Sequence, residues 1–145
     1  MTIKKATPDD IRAAATLAHQ LWPGDSPEEH AAVLSEIIAS PEGAVFLAME
    51  QGDACAFAQC QLRHDYVEGT ESSPVGYLEG IYVCPACQGR GIGRALLAAC
   101  EDWARAVGCA EFASDCELDN EDSLRFHLHM GFTEANRIIC FTKRL

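Results

Sequence analysis

Positive charge is scarce in this chain: 11 Lys and Arg stand against 22 Asp and Glu, a net of −11 at pH 7 over 145 residues. That balance repels nucleic acid and anionic membrane surfaces and suits a polycationic partner. No apolar run approaches the roughly 20 residues of a membrane span. The N-terminus, MTIKKATPDD, lacks an apolar signal core, so export is not expected and a cytoplasmic location is. Repeats, low-complexity tracts and linkers are absent, and the expectation is a single domain over residues 1–145. Gly-Lys followed by Ser or Thr is missing, which excludes a Walker phosphate loop. Cys84 and Cys87 form a CxxC, but no second pair stands at zinc spacing and no thioredoxin-like context surrounds them. The eight cysteines are therefore read as reduced core residues, with no metal.

What is present is 48% apolar and 23% charged residues, the balance of a globular chain rather than a disordered one. The most informative stretch is residues 75–107. Tyr77, Leu78, Ile81, Tyr82 and Val83 have strand character, and Pro85 ends the run. Gln88-Gly89-Arg90-Gly91-Ile92-Gly93 follows. Ile92, Leu96, Ala99, Trp103 and Val107 then recur at helical spacing, one apolar face of an amphipathic helix. A strand that passes through glycines into a helix N-terminus is an anion site. Glycine lets the backbone approach closely, the first N–H groups of the helix are free, and the helix dipole favours negative charge. A dinucleotide loop would put GxGxxG at the start of a βαβ unit, whereas this loop is QxxGxG and lies mid-chain.

Around that stretch the pattern predicts a strand at 3–6, then a helix opened by Thr7-Pro8-Asp9-Asp10 and a second opened by Ser26-Pro27-Glu28-Glu29. Strands at 45–50 and 54–62 meet at the turn Gln51-Gly52-Asp53. Residues 63–74 are polar and turn-rich. A strand at 111–116 and a helix capped by Asp119-Asn120 precede Gly131. Two last strands are expected at 133–136 and 137–143.

The loop resembles the pyrophosphate loop of the GNAT acetyltransferases, Gln/Arg-x-x-Gly-x-Gly/Ala, at Gln88, Gly91 and Gly93. Element order and the ending Phe126, Met130, Gly131 and Phe132 resemble that family over essentially the whole chain. The resemblance implies an α/β (α+β) GNAT fold: a mixed, mainly antiparallel central sheet with helices on both faces. Leu21-Trp22-Pro23-Gly24, Arg63-His64-Asp65-Tyr66-Val67, Ser72-Ser73-Pro74-Val75, Leu78-Glu79-Gly80-Ile81, Ala113-Ser114-Asp115 and Met130-Gly131-Phe132 together are similar to the short aminoglycoside 6′-N-acetyltransferases. Those enzymes transfer acetyl from acetyl-CoA to the 6′-amine of an aminoglycoside, and many are homodimers.

The resemblance implies the following roles. Backbone amides of Ile81, Tyr82 and Val83 hold the pantetheine and acetyl oxygen. Gln88, Gly89, Arg90, Gly91, Ile92, Gly93 and Arg94 cradle the pyrophosphate, and Asn120 contacts CoA or simply caps its helix. Glu79, acting through water, is the expected general base, and Asp115 holds the amine beside it; the alternative is that both only bind charge. Trp22, Tyr66 and Asn136 line the substrate pocket. His127 stands where relatives place a tyrosine acid, so a general-acid role and a structural role are both open. Two rivals remain: a GNAT acting on another cationic amine, such as a polyamine or lysine, and a non-catalytic acyl-CoA-binding module.

Overall fold

The computed structural model describes residues 1–145. Five strands form one sheet in chain order: β1 (Thr2–Lys5), β2 (Gly43–Glu50), β3 (Asp53–Arg63), β4 (Val75–Val83) and β5 (Phe112–Ser114). The first four are mutually antiparallel, and β5 joins β4 in parallel. Three helices cover the sheet, α1 (Ile11–Leu21), α2 (Pro27–Ala39) and α3 (Ile92–Ala106), and a fourth, α4 (Glu121–His129), follows β5 with no buried residue. The mixed, mainly antiparallel sheet expected from the sequence is present.

Alternation along β2 explains why both faces are covered. Ala44, Phe46 and Ala48 point to the face packed by Leu96, Leu97, Cys100 and Trp103 of α3. Val45 and Leu47 point to the opposite face, where Ala14, Ala18 and Leu34 of α1 and α2 meet them. Two-sided burial accounts for the near-continuous apolar reading of β2. The turn between β2 and β3 is carried by Gln51 and Gly52, both at positive φ (51° and 91°), as a tight hairpin demands.

The helix starts follow the capping signals. Asp10 Oδ2 accepts from the Thr7 N–H at 2.8 Å, over a short 3₁₀ turn that leads into α1. Ser26 Oγ accepts from the Glu29 N–H at 3.1 Å at the head of α2. Ser26→Ala is expected to cost about 1 kcal/mol, read as a lower midpoint in urea unfolding. An unchanged midpoint would mean that water satisfies this end equally well.

The expectation of two closing strands is corrected. Residues 133–145 form no strand, and no backbone hydrogen bond involves them. Ile138, Ile139 and Phe141 have strand character but are 69%, 81% and 88% exposed. A strand needs a partner edge, and this segment lies beside none in its own chain. The strand expected at 111–116 is also shorter, because pairing with β4 ends after Leu78 and Ser114. No helix is long and apolar enough to cross a membrane.

Candidate active site

The site grows from the place where β4 loses its neighbour. On one side β4 pairs with β3 along its length. On the other, β5 covers only Gly76, Tyr77 and Leu78, so the edge from Glu79 to Val83 is open. This open edge contains Ile81, Tyr82 and Val83, the residues expected to offer amides to a cofactor. The β3–β4 register steps from Leu78↔Cys60 to Gly80↔Gln59, which leaves Glu79 as an extra residue on the β4 side. Bulges of this kind re-aim a side chain next to a functional site.

Beyond Val83 the chain makes a 3₁₀ turn at Pro85–Cys87 and enters the glycine loop. Gln88 Nε2 donates to the Val83 carbonyl at 3.1 Å and ties the loop to the strand end. Gly89 and Gly91 sit at φ 75° and 78°, which side-chain-bearing residues rarely adopt. Neither has any atom within 4 Å of where a Cβ would stand, so the space in front of the loop is open. The first backbone bond of α3 is from the Ala95 N–H to the Gly91 carbonyl, and no backbone bond uses the N–H groups from Gly89 to Arg94. Arg94 is exposed, without an ion pair, in the first turn of α3, which holds no acid. A cation there opposes the helix dipole, so the end is electrostatically complete only with an anion beside it.

The acids meet at the same opening. Arg63 on β3 reaches Glu79 through both arms, Nε to Oε1 at 3.2 Å and an Nη to Oε2 at 3.0 Å. Its guanidinium also lies 3.4 Å from the centroid of the Tyr77 ring. The Tyr77 hydroxyl donates to Asp115 at the end of β5. Burial, then the Asp115 carboxylate, pushes the Tyr77 hydroxyl well above its ordinary pKa, so it stays a donor. Glu79 and Asp115 are thus joined through Arg63 and Tyr77. Trp22 lies against the same strand: a Cβ on Gly80 would collide with its indole. Its ring is stacked on His30 at 6.0 Å and edge-on to Phe57 at 6.2 Å.

A family model described as "Acetyltransferase (GNAT) family" matches residues 11–132, which hold the open edge, the glycine loop and all of these acids. The chain belongs to the GNAT acetyltransferase family. An aminoglycoside N(6′)-acetyltransferase type 1 from Stenotrophomonas maltophilia is 50% identical over 97% of this chain and 91% of its own. The structure of the aminoglycoside N-acetyltransferase AAC(6′)-Iy in complex with CoA superposes with a TM-score of 0.96. It is 40% identical, over 99% of this chain and 95% of that one. The same enzyme with the bisubstrate analogue CoA-S-monomethyl-acetylneamine gives 0.95 at 40% identity, over 99% and 98%.

In this GNAT chain the other expected residues fall around the opening in different ways. Asn120 caps α4, its Oδ1 accepting from the Ser123 N–H at 3.1 Å, which leaves its amide nitrogen for a ligand. His127 links α4 to β5. Its Nδ1 lies 2.7 Å from the Ser123 carbonyl and must carry a proton there, while Nε2 lies 2.8 Å from Ser114 Oγ. Phe126 and Phe132 pack edge-on against the ring. Tyr66 is 76% exposed on the 64–74 loop, its hydroxyl 3.4 Å from the Gly69 N–H. Asn136 Nδ2 donates to Glu68 of that loop at 2.7 Å. Arg90 turns back to pair with Glu50 at the end of β2.

Arg63 and Tyr77 stand among the candidate-site carboxylates, a position that sequence reasoning missed. Tyr77 and Glu79 two apart on one strand was the available signal; the partner on β3 depends on register. Beneath the glycine loop, Cys87 adjoins Cys84 and Cys55, and its thiol is pushed up to about 12, first by the Cys84 contact.

Proposed function

We infer that this chain is an aminoglycoside 6′-N-acetyltransferase that moves acetyl from acetyl-CoA to the 6′-amine of the antibiotic, and thereby confers resistance. The observation that carries this reading is the meeting of two features at one opening in β4. Free loop amides suited to a pyrophosphate lie on one side, and a linked pair of carboxylates suited to an ammonium lies on the other. Relatives at up to 50% identity over nearly the whole chain support the same acceptor. The net charge of −11 draws a polycation toward the opening.

The reaction is a direct attack in a ternary complex. Asp115 and Glu79 hold the substrate ammonium, and Glu79 takes its proton through a bridging water. The freed amine lone pair forms a bond to the thioester carbonyl carbon. Amides of the segment Ile81 to Val83 stabilise the oxyanion that develops. The C–S bond then breaks, the new amide nitrogen gives up its second proton to solvent, and the sulfur leaves as CoA thiolate and takes up a proton from solvent. No metal takes part. Amides from Gly89 to Arg94 hold the pyrophosphate, with Gln88 and Arg90 fixing the loop from either side and Asn120 facing the CoA chain. Trp22 and Tyr66 wall the sugar pocket, and Asn136 positions the Tyr66 loop. The hydrogen bonds of His127 support a positioning role, holding α4 to β5, in preference to proton donation.

The working unit proposed is a cytoplasmic homodimer of one catalytic domain per chain. The exposed apolar segment with Ile138, Ile139 and Phe141 supports a second copy as its cover. Intact-mass analysis of kanamycin incubated with the enzyme and acetyl-CoA tests the function. A single added acetyl group with stoichiometric thiol release is expected. If kanamycin and tobramycin both stay unmodified while acetyl-CoA binds, the acceptor is a different amine.

A further inference from the structure

Three separate parts of the chain bring sulfur and carboxylate ligands together just behind the glycine loop. Glu50 ends β2, Cys55 lies near the start of β3, and Cys84 and Cys87 bracket the turn after β4. The backbone holds them in place. The Cys84 N–H donates to the Cys55 carbonyl at 2.9 Å, and the Cys87 N–H donates to the Cys84 carbonyl at 2.9 Å. The Glu50 carboxylate oxygen and the sulfurs of Cys55 and Cys87 all lie within 4.8 Å of one another. Cys87 is buried, and Cys55 and Cys84 are partly so.

We propose that Cys55, Cys87 and Glu50, joined by Cys84 after a shift of its side chain, form a thiolate-rich site for a divalent d-block ion of zinc type, structural and separate from the acetyl-transfer chemistry. Ligand atoms around a tetrahedral zinc ion stand about 3.5–3.8 Å apart, given Zn–S near 2.3 Å and Zn–O near 2.0 Å. Glu50, Cys55 and Cys87 need to contract by about 1 Å at most to meet that spacing, while Cys84, which adjoins Cys87 but stands outside that group, has to swing in as the fourth ligand. Three sulfurs and a single carboxylate select a borderline-soft ion over magnesium or calcium, which require oxygen shells. Uptake releases the three thiol protons to solvent and leaves the ion with three thiolates and a carboxylate, a net of −2. Arg90, already donating to Glu50 Oε2 at 3.0 Å, offsets part of that charge and holds the carboxylate from outside. Cys87 and Arg90 flank Gln88 and Gly89, so the ion would brace the turn that leads into the loop.

Two measurements on the full-length protein, reduced with a non-chelating phosphine, test the site. Titration with Co²⁺ alone is expected to give a thiolate-to-metal charge-transfer band that saturates at one ion per chain and is displaced by Zn²⁺. Cys87→Ser and Cys55→Ser are expected to bind at least roughly 10-fold more weakly, while Cys116→Ser, at an exposed position, binds as the parent does. Alkylation followed by mass spectrometry needs no variant. Zn²⁺ is expected to slow labelling of Cys55 and Cys84 together and leave Cys116 and Cys140 unaffected. Absence of the band, a band indifferent to Cys87→Ser and Cys55→Ser, or unchanged labelling of Cys55 and Cys84 overturns the proposal. Should the serine variants fail to fold, the labelling result on the parent decides alone. None of these readouts depends on the acceptor.

Discussion

Glu79→Gln lowers kcat/KM for aminoglycoside acetylation by about 10²–10⁴-fold, the range expected for loss of a general base. The fall appears in kcat, because acetyl-CoA is held by amides that the substitution does not touch. Glutamine keeps the bulk of the side chain and retains an acceptor for Arg63, which now donates at 3.0–3.2 Å to a carboxylate. What it removes is the basic oxygen pair facing the opening. The measurement is a steady-state comparison at several pH values, with CoA affinity checked by calorimetry. A variant that turns over at near-parental rate, with only a raised KM for the antibiotic, would reassign Glu79 to charge binding and leave proton removal to solvent.

Phe57→Ala is expected to destabilise the fold by about 3–5 kcal/mol, the cost of deleting a buried aromatic and leaving part of its cavity. Against a typical total of about 5–15 kcal/mol, that is a large share. Phe57 is 0% exposed and packs with Leu34, Val45 and Leu47 under α1 and α2. The same ring supports Trp22 edge-on, and Trp22 lies over Gly80 beside the acids. The substitution therefore has a second expected outcome, a higher KM for the aminoglycoside with little change in that for acetyl-CoA. Urea unfolding gives the first quantity and initial rates give the second. A stability loss below about 1 kcal/mol would mean the surrounding side chains collapse into the space.

The local features were legible in the residues. The glycine loop, the caps at Ser26 and Asp10 and the Gln51-Gly52 turn each depend on a few neighbours whose chemistry specifies a backbone shape. Features set by pairing between distant segments were not. That Arg63 would hold Glu79, and Tyr77 would hold Asp115, depends on the β3–β4 register and on where β5 stops. Cys55 and Glu50 meet Cys87 of the CxxC only because the ends of β2, β3 and β4 converge, and no spacing in the sequence announces that. The closing segment erred in the other direction. Ile138, Ile139 and Phe141 carry genuine strand propensity, but propensity has no effect without an edge to pair with.

The extra residue at Glu79 also sets the phase of everything after it on β4. Leu78 faces α3, and so do Ile81 and Val83, while Tyr82 turns to the opposite side. An uninterrupted strand would have put residues 78, 80 and 82 on one side. Deleting Glu79 would straighten the ladder, leave Gly80 under the Trp22 indole and keep both faces of the core filled. The carboxylate would then be lost from its outward station while the protein still folded. Length variation at this point would thus separate catalysis from folding, and a shortened form would be a well-packed protein with an inert cleft.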